Sequence, residues 1–139
     1  GRGHTNGDAW VVFPALRAMH SGDMFSGKTI PLLDANNGGS GVQISDSLQR
    51  AYDSTKDVDL IITGHGNQMT RADLREYVAF TRDFVNFIRA AKTAGKTPDE
   101  VADTWKIPEK YVGYTDLPAV RVKVDAQVVY SEIDAAGSK

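Results

Sequence analysis

Short apolar runs and longer amphipathic segments alternate along the chain. The run Trp10–Phe13, closed by Pro14, predicts a short buried strand, and Arg17–His20 is its hairpin partner. A third run, Val58–Thr63, is nearly continuously apolar, which is typical of a strand covered on both faces. The pattern therefore predicts a hairpin near the start of the chain and one buried strand near its middle.

Segments with helical periodicity separate and follow these strands. Apolar residues recur at mostly helical spacing over residues 42–52. A long helix begins after Thr70, which forms a capping box with Asp73, and its apolar stripe continues to Gly95. A second capping box, Thr97–Glu100, starts a short helix. Strands and helices in this order predict an α/β fold.

The C-terminal segment has an ambiguous pattern. Val120, Val122 and Val124 alternate as in a strand. The apolar positions over residues 117–133 also fit a helix, and we expect a helix there. The last residues, 135–139, are expected to fray.

Composition narrows the class of protein. With 139 residues, 41% of them hydrophobic and 24% charged, the chain is expected to form a single soluble domain over residues 1–139. No apolar run approaches the ~20 residues that cross a bilayer, so no membrane span is expected. The net charge of −2 gives no indication of a nucleic-acid partner and does not exclude one. The compartment, cytoplasm or periplasm, stays open because a chain without cysteine suits both.

Three glycine-flanked segments carry the candidate chemistry. The segments G-H-T-N-G-D, H-S-G-D and T-G-H-G contain His4, Asp23 and His65. Imidazole and carboxylate bind zinc and similar divalent ions, and the glycines let the backbone turn sharply beside each residue. Because α/β folds collect strand-end loops at one edge of a sheet, we expect the three side chains to converge.

In this order and context the three residues resemble the later ligand motifs of the metallo-β-lactamase superfamily, and the resemblance extends from Gly1 to about Phe87. It implies half of an αββα sandwich, a small mixed sheet with flanking helices equivalent to the C-terminal half of that fold. It also implies roles: His4 completes the coordination of one metal, Asp23 bridges two metals, and His65 is the last histidine of the second. Zinc is the expected ion, with iron or manganese as alternatives.

The chain departs from the superfamily in one respect. The His-x-His-x-Asp-His segment that supplies the other ligands does not occur, and His4, His20 and His65 are the only histidines. The resemblance therefore implies the C-terminal portion of a metal-dependent hydrolase that uses a metal-bound hydroxide on a small-molecule ester, amide, lactam or thioester. Alone, the chain is expected to be inactive, because three ligands shared by two metals leave both under-coordinated.

Thr5 and Asp8 are the candidates for holding the imidazole of His4, a role that metal-binding histidines usually require. An equally good alternative for Asp8 is that it caps a turn. His20, which directly precedes the S-G-D segment, is expected to be an ordinary half-buried histidine.

Gly22–Thr29 satisfies a different pattern, the G-x-x-x-x-G-K-[ST] of a phosphate-binding loop. Read literally, it predicts a nucleotide-binding protein in which Lys28 contacts phosphate. Such a loop needs a helix directly after Thr29, yet Pro31 and the loop at residues 36–41 leave room for at most about two turns. Nucleotide binding is therefore the alternative function.

A further alternative is a non-catalytic interaction domain. In that case the loop at residues 36–41 and the aromatic residues of the long helix form a partner surface, although core packing is the simpler explanation of the aromatic stripe. A half-sandwich also predicts a partner, because its sheet lacks the other half. Either the missing N-terminal half or a second copy of the chain is expected to cover that sheet.

Overall fold

The structure, a computed structural model, describes residues 1–138. These residues contain four short strands and four helices. Three short 3₁₀ turns lie between them, the second directly after β2. In chain order the elements are β1 (Val11–Phe13), β2 (Ala18–Gly22), α1 (Ile44–Ser54), β3 (Leu60–Thr63), β4 (Met69–Thr70), α2 (Arg71–Thr93), α3 (Pro98–Thr104) and α4 (Ala119–Gly137).

The strands form one mixed sheet in the order β1-β2-β3-β4. β1 and β2 make an antiparallel hairpin, β2 and β3 run parallel, and β4 pairs antiparallel with β3. The structure confirms the predicted α/β fold, a small mixed sheet with flanking helices, and it confirms the predicted hairpin. β4 is only two residues long, too short to produce a periodic pattern in the sequence.

The helices cover mainly one face of the sheet. Met19 and Ile61 are paired in the register and lie fully buried on the covered face. Successive residues of a strand point to opposite faces, and on the other face Val11 and Ile62 are 50% and 39% exposed. The predicted burial of β1 and of both faces of β3 is therefore wrong. Burial depends on what packs against each face, which an apolar run does not reveal.

The helix α2 is the centre of the core. It begins at the predicted capping box, in which the Asp73 amide donates to Thr70 Oγ1 (3.2 Å) and the Thr70 amide donates to the Asp73 carboxylate (2.8 Å). Its aromatic residues Tyr77, Phe80 and Phe84 are fully buried. The stripe is therefore core, and it does not form the partner surface of the interaction-domain alternative.

The other helices lie where the sequence predicts them. α1 starts within the predicted segment, α3 has the predicted Thr97–Glu100 capping box, and the ambiguous C-terminal segment is the helix α4. α4 includes residues 135–137 of the tail for which fraying is predicted, and residue 139 lies outside the described residues. Within residues 1–138 no helix is long and apolar enough to cross a membrane.

Candidate functional site

Asp23 and His65 meet at one edge of the sheet. Asp23 directly follows β2 and His65 follows β3, and these strands run parallel, so their carboxyl ends lie side by side. His65 Nε2 lies 3.1 Å from Asp23 Oδ1. His4, which the N-terminal segment contributes, places its Nε2 3.7 Å from Asp23 Oδ2. The fold thus brings the three predicted residues together, with each imidazole beside a different oxygen of the carboxylate.

A sharp turn presents Asp23. Gly22 has a φ of +52°, in the left-handed region that glycine adopts freely, and a 3₁₀ turn follows it. The Ser21 hydroxyl donates to the Phe25 carbonyl (3.1 Å), which closes the turn. His20 is exposed, not half-buried as predicted, and its Nδ1 accepts from the Gly22 amide (3.0 Å). This histidine therefore supports the turn from outside the site.

Main-chain hydrogen bonds tie the loop that carries His65 to the same turn. The His65 amide donates to the Ser26 carbonyl (3.3 Å). The Gly64 amide donates to the Phe25 carbonyl (3.4 Å). Position 64 has no room for a side chain, because a Cβ there would collide with Asp23 Oδ1. Glycine at this position is what allows the carboxylate and the imidazole to approach each other.

The segment with His4 is held by a distant loop. The Asp34 amide donates to the His4 carbonyl (2.9 Å), and the Ser40 amide donates to the Gly3 carbonyl (2.8 Å). On the other side lies Met24, whose sulfur accepts from the His4 amide (3.4 Å). The sequence alone does not reveal that Asp34, Ser40 and Met24 support the site, because their contacts join segments that are far apart in the chain. The glycines beside the two histidines are the local feature that points to the site.

Asp8 holds the imidazole of His4 from the side opposite Asp23. Asp8 Oδ1 lies 3.1 Å from His4 Nδ1. A carboxylate only accepts, so Nδ1 is the donor in this hydrogen bond, and Nε2 is the ring nitrogen that faces Asp23. Thr5 acts on Asp8 and not on the ring, because its amide and its hydroxyl both donate to that carboxylate (2.8 and 2.9 Å). The two predicted supporting residues therefore form one chain of hydrogen bonds that ends at His4.

The three side chains lie at an open surface. The side chain of His65 is 67% exposed, and those of Asp23 and His4 are 27% and 23% exposed. Water therefore screens the interactions between these groups, and only one side of the site is built by the described residues.

The three side chains are of the types that bind divalent ions, but they supply fewer donors than two such ions need. Imidazole nitrogen and carboxylate oxygen are both zinc donors, and zinc sites hold about four ligands. His4 with one oxygen of Asp23 offers two donors, and His65 with the other oxygen offers two more. Within residues 1–138 no group of three or more His, Asp or Glu side chains is arranged to hold a metal ion. No catalytic step can therefore be assigned to these residues alone.

The segment Gly22–Thr29 does not have the geometry of a phosphate-binding loop. The next α-helix in the chain is α1, which begins at Ile44, so no helix follows Thr29 directly. The Lys28 ammonium pairs with Asp73 (3.0 Å) and with Glu76 (3.2 Å). These carboxylates, Asp73 first, raise the pKa of Lys28 and neutralise the charge that a phosphate would need. The structure does not support the nucleotide-binding alternative.

One cavity lies away from the three site residues. It has a volume of about 620 Å³ and lies between α4 and the loop that precedes α1, with Val42, Val124 and Val128 among its lining residues. His4, Asp23 and His65 are not among them. The candidate donors therefore do not line this cavity.

Comparison with known proteins gives the fold. No protein-family model and no curated protein matches the sequence. A solved structure of a double mutant of the sec-alkyl sulfatase PisA1 is similar to this chain, with a TM-score of 0.65 at 15% identity, over 94% of this chain and 22% of the sulfatase chain. The chain thus spans about a fifth of the length of that protein. The likeness supports the α/β fold, and the small mixed sheet with four helices is consistent with part of a metallo-β-lactamase-like sandwich.

Proposed function

We propose that this chain is the C-terminal portion of a metal-dependent hydrolase of the metallo-β-lactamase type, to which it contributes His4, Asp23 and His65. The observation that carries the proposal is the placement of Asp23 between two imidazoles, with one oxygen facing each. A carboxylate in this position can link two cations and reduce their mutual repulsion, a task that a third histidine could not perform. The likeness to a sulfatase, which is itself a hydrolase, adds support for a hydrolase origin.

The residues of this chain have separate tasks in that function. Asp8 fixes the tautomer and the orientation of His4, and Thr5 fixes Asp8. Gly64 keeps the space in which Asp23 and His65 approach each other. A divalent ion, when bound, supplies Lewis acidity and lowers the pKa of a water ligand. The expected substrates are small molecules with an ester, amide, lactam or thioester bond, and the name of the sulfatase adds sulfate esters to the ester class.

The chain needs a complement to act. Two donors for each ion are half of the usual number, so we expect the isolated chain to have no hydrolase activity. The missing donors come either from an N-terminal half or from a second copy of this chain. Zinc is the expected ion, and iron or manganese would suit the same donors.

Metal binding tests the proposal directly. Zn²⁺ is titrated into the purified chain in competition with a chromophoric chelator, and we expect it to bind. The His65→Ala variant is expected to bind Zn²⁺ roughly ten-fold or more weakly, because an oxygen of Asp23 is then the single donor left for one ion. Asp57→Ala is the control, since Asp57 is an exposed carboxylate that precedes β3, whereas His65 follows it, and this variant should bind Zn²⁺ like the wild type. Zn²⁺ binding by the wild type with equal affinity in the His65→Ala variant would contradict the assignment.

The open face of the sheet predicts association. Val11, Phe13 and Ile62 expose apolar surface there, and an exposed apolar patch favours burial against another sheet. We expect the isolated chain to self-associate at high concentration, as measured by sedimentation velocity, and Val11→Ser to weaken this association roughly three- to ten-fold. Val112→Ser is the control, because Val112 is 78% exposed but lies outside the sheet. A monomeric wild type at high concentration would count against this surface as an interface.

A further inference from the structure

The loop that carries His65 closes around one buried hydroxyl group. Thr63 is the last residue of β3 and the first residue of the T-G-H-G segment, and it is 6% exposed. Its Oγ1 accepts a hydrogen bond from the Gly66 amide (3.0 Å) and donates one to the Asn67 carbonyl (3.1 Å). A threonine hydroxyl can donate and accept at the same time, so this one group bonds to both of the residues that directly follow His65.

The other hydrogen bonds that restrain this loop are longer. The His65 amide donates to the Ser26 carbonyl at 3.3 Å, and the Gly64 amide donates to the Phe25 carbonyl at 3.4 Å. Hydrogen bonds from an amide to an oxygen are most often about 2.9–3.0 Å long, so the bond from Gly66 to the hydroxyl is the better formed. The side chain of His65 is 67% exposed and gains little support from packing. Its position therefore depends on how firmly the main chain of the loop is held.

Thr63 also lies next to the turn that presents Asp23. It is paired with Gly22 in the register of β2 and β3, and Gly22 directly precedes Asp23. On the other side of the hydroxyl the loop has little free space. A Cβ at position 66 would lie 3.1 Å from Thr63 Oγ1 and 2.9 Å from the Ser26 carbonyl oxygen. The loop is therefore packed between the Thr63 hydroxyl and the turn after β2.

We propose that Thr63 is a positioning residue: its hydroxyl group, bonded to Gly66 and Asn67, fixes the loop that carries His65 and thereby the distance from the imidazole to the Asp23 carboxylate. This inference deepens the proposed function, on which its relevance to hydrolysis rests. Thr63 is not one of the candidate metal donors, and it acts through the main chain of the loop.

Amide hydrogen exchange of Thr63→Val tests the proposal without any metal. Valine keeps the shape of threonine and removes the hydroxyl. The protection of the His65 amide is expected to fall roughly three- to ten-fold relative to amides of α3, because the loop loses its best-formed hydrogen bond. The His65 amide bonds to Ser26 and not to Thr63, so its protection reports the loop as a whole. Thr93→Val is the matched control: it removes a hydroxyl that donates to the Arg89 carbonyl at the end of α2 and should leave the ratio unchanged.

Serine at position 63 separates the role of the hydroxyl from that of packing. Thr63→Ser keeps the hydroxyl and loses the methyl group, and it should keep the His65 ratio within about two-fold of the wild type. A role in packing alone predicts the reverse order, since serine leaves a cavity and valine fills the space. If Thr63→Val does not fold, Thr63→Ser and Thr63→Ala form a second pair that differs only in the hydroxyl. In that pair the alanine variant is expected to have the lower ratio, again roughly three- to ten-fold.

Three results would overturn the proposal. They are a wild-type ratio in Thr63→Val, a ratio in Thr63→Ser that is as low as that in Thr63→Val, and equal ratios in the serine and alanine variants. Equal Zn²⁺ affinity of the wild type and His65→Ala would instead overturn the proposed function and leave the exchange result intact. The failure of one proposal is therefore distinguishable from the failure of the other.

Discussion

Replacing Gly64 with alanine is expected to separate the Asp23 carboxylate from the His65 imidazole and to lower the free energy of unfolding by about 1–3 kcal/mol. The added methyl group would collide with Asp23 Oδ1 and lie 2.8 Å from the Gly22 carbonyl. The Gly22 carbonyl belongs to the main chain of a left-handed turn and cannot yield freely, whereas the Asp23 carboxylate can rotate, and that rotation moves it away from His65. The change in stability is measured by urea denaturation.

Gly7→Ala is the control for this change. A Cβ at position 7 meets no atom within 4 Å, so the same substitution there should leave stability within about 0.5 kcal/mol of the wild type. Chemical shifts of the His65 ring report whether the contact with Asp23 has been lost. If Gly64→Ala were as stable as Gly7→Ala and kept the wild-type shifts, the close approach at position 64 would not constrain the site.

Replacing Asp125 with asparagine is expected to stabilise the protein at neutral pH. Burial, only partly opposed by Arg121, raises the pKa of Asp125 in the folded chain, so the folded chain holds this proton to a higher pH than the unfolded chain does. The unfolded chain releases that proton above a pH of about 3.9. Between this pH and the folded pKa, the free energy of unfolding therefore falls by up to about 1.4 kcal/mol per pH unit as pH rises. Asparagine has the same shape and no proton to lose, so the variant should lack this slope.

Urea denaturation of both proteins over a pH range of about 4 to 8 measures the difference. Tyr77 on α2 and Arg121 on α4 are the titratable groups that face Asp125, and neither changes charge in this range. Asp134→Asn on the same helix is the control, because its carboxylate is 70% exposed and paired with Lys92, so its loss should leave the pH slope unchanged. A wild type and an Asp125→Asn variant with parallel profiles would mean that Asp125 is ionised in the folded chain.

Predictions that rest on local interactions agree with the structure. The capping boxes at Thr70–Asp73 and Thr97–Glu100 join residues three positions apart, so the sequence alone carries the information for where α2 and α3 begin. The hairpin β1–β2 is also local, since its strands are joined by one short turn. The order of His4, Asp23 and His65 in glycine-rich segments at strand ends was enough to predict that they converge.

Predictions that depend on contacts between distant segments agree less well with the structure. The apolar run of β1 looks buried, but both of its faces are exposed: Val11 and Phe13 on one face are 50% and 43% exposed, and Val12 on the other is 41% exposed. The contacts that hold the His4 segment join residues that are far apart in the chain. They leave no pattern within any single segment.

The sequence by itself determined the helices, the hairpin and the identity of the candidate metal donors, because periodicity, caps and donor chemistry are properties of neighbouring residues. Only the tertiary structure decided which face of the sheet is open, that each imidazole meets a different oxygen of Asp23, and that Asp125 is fully buried. These features arise from packing between α2, α4 and the strand-end turns. Packing depends on the whole fold, and so no local pattern encodes it.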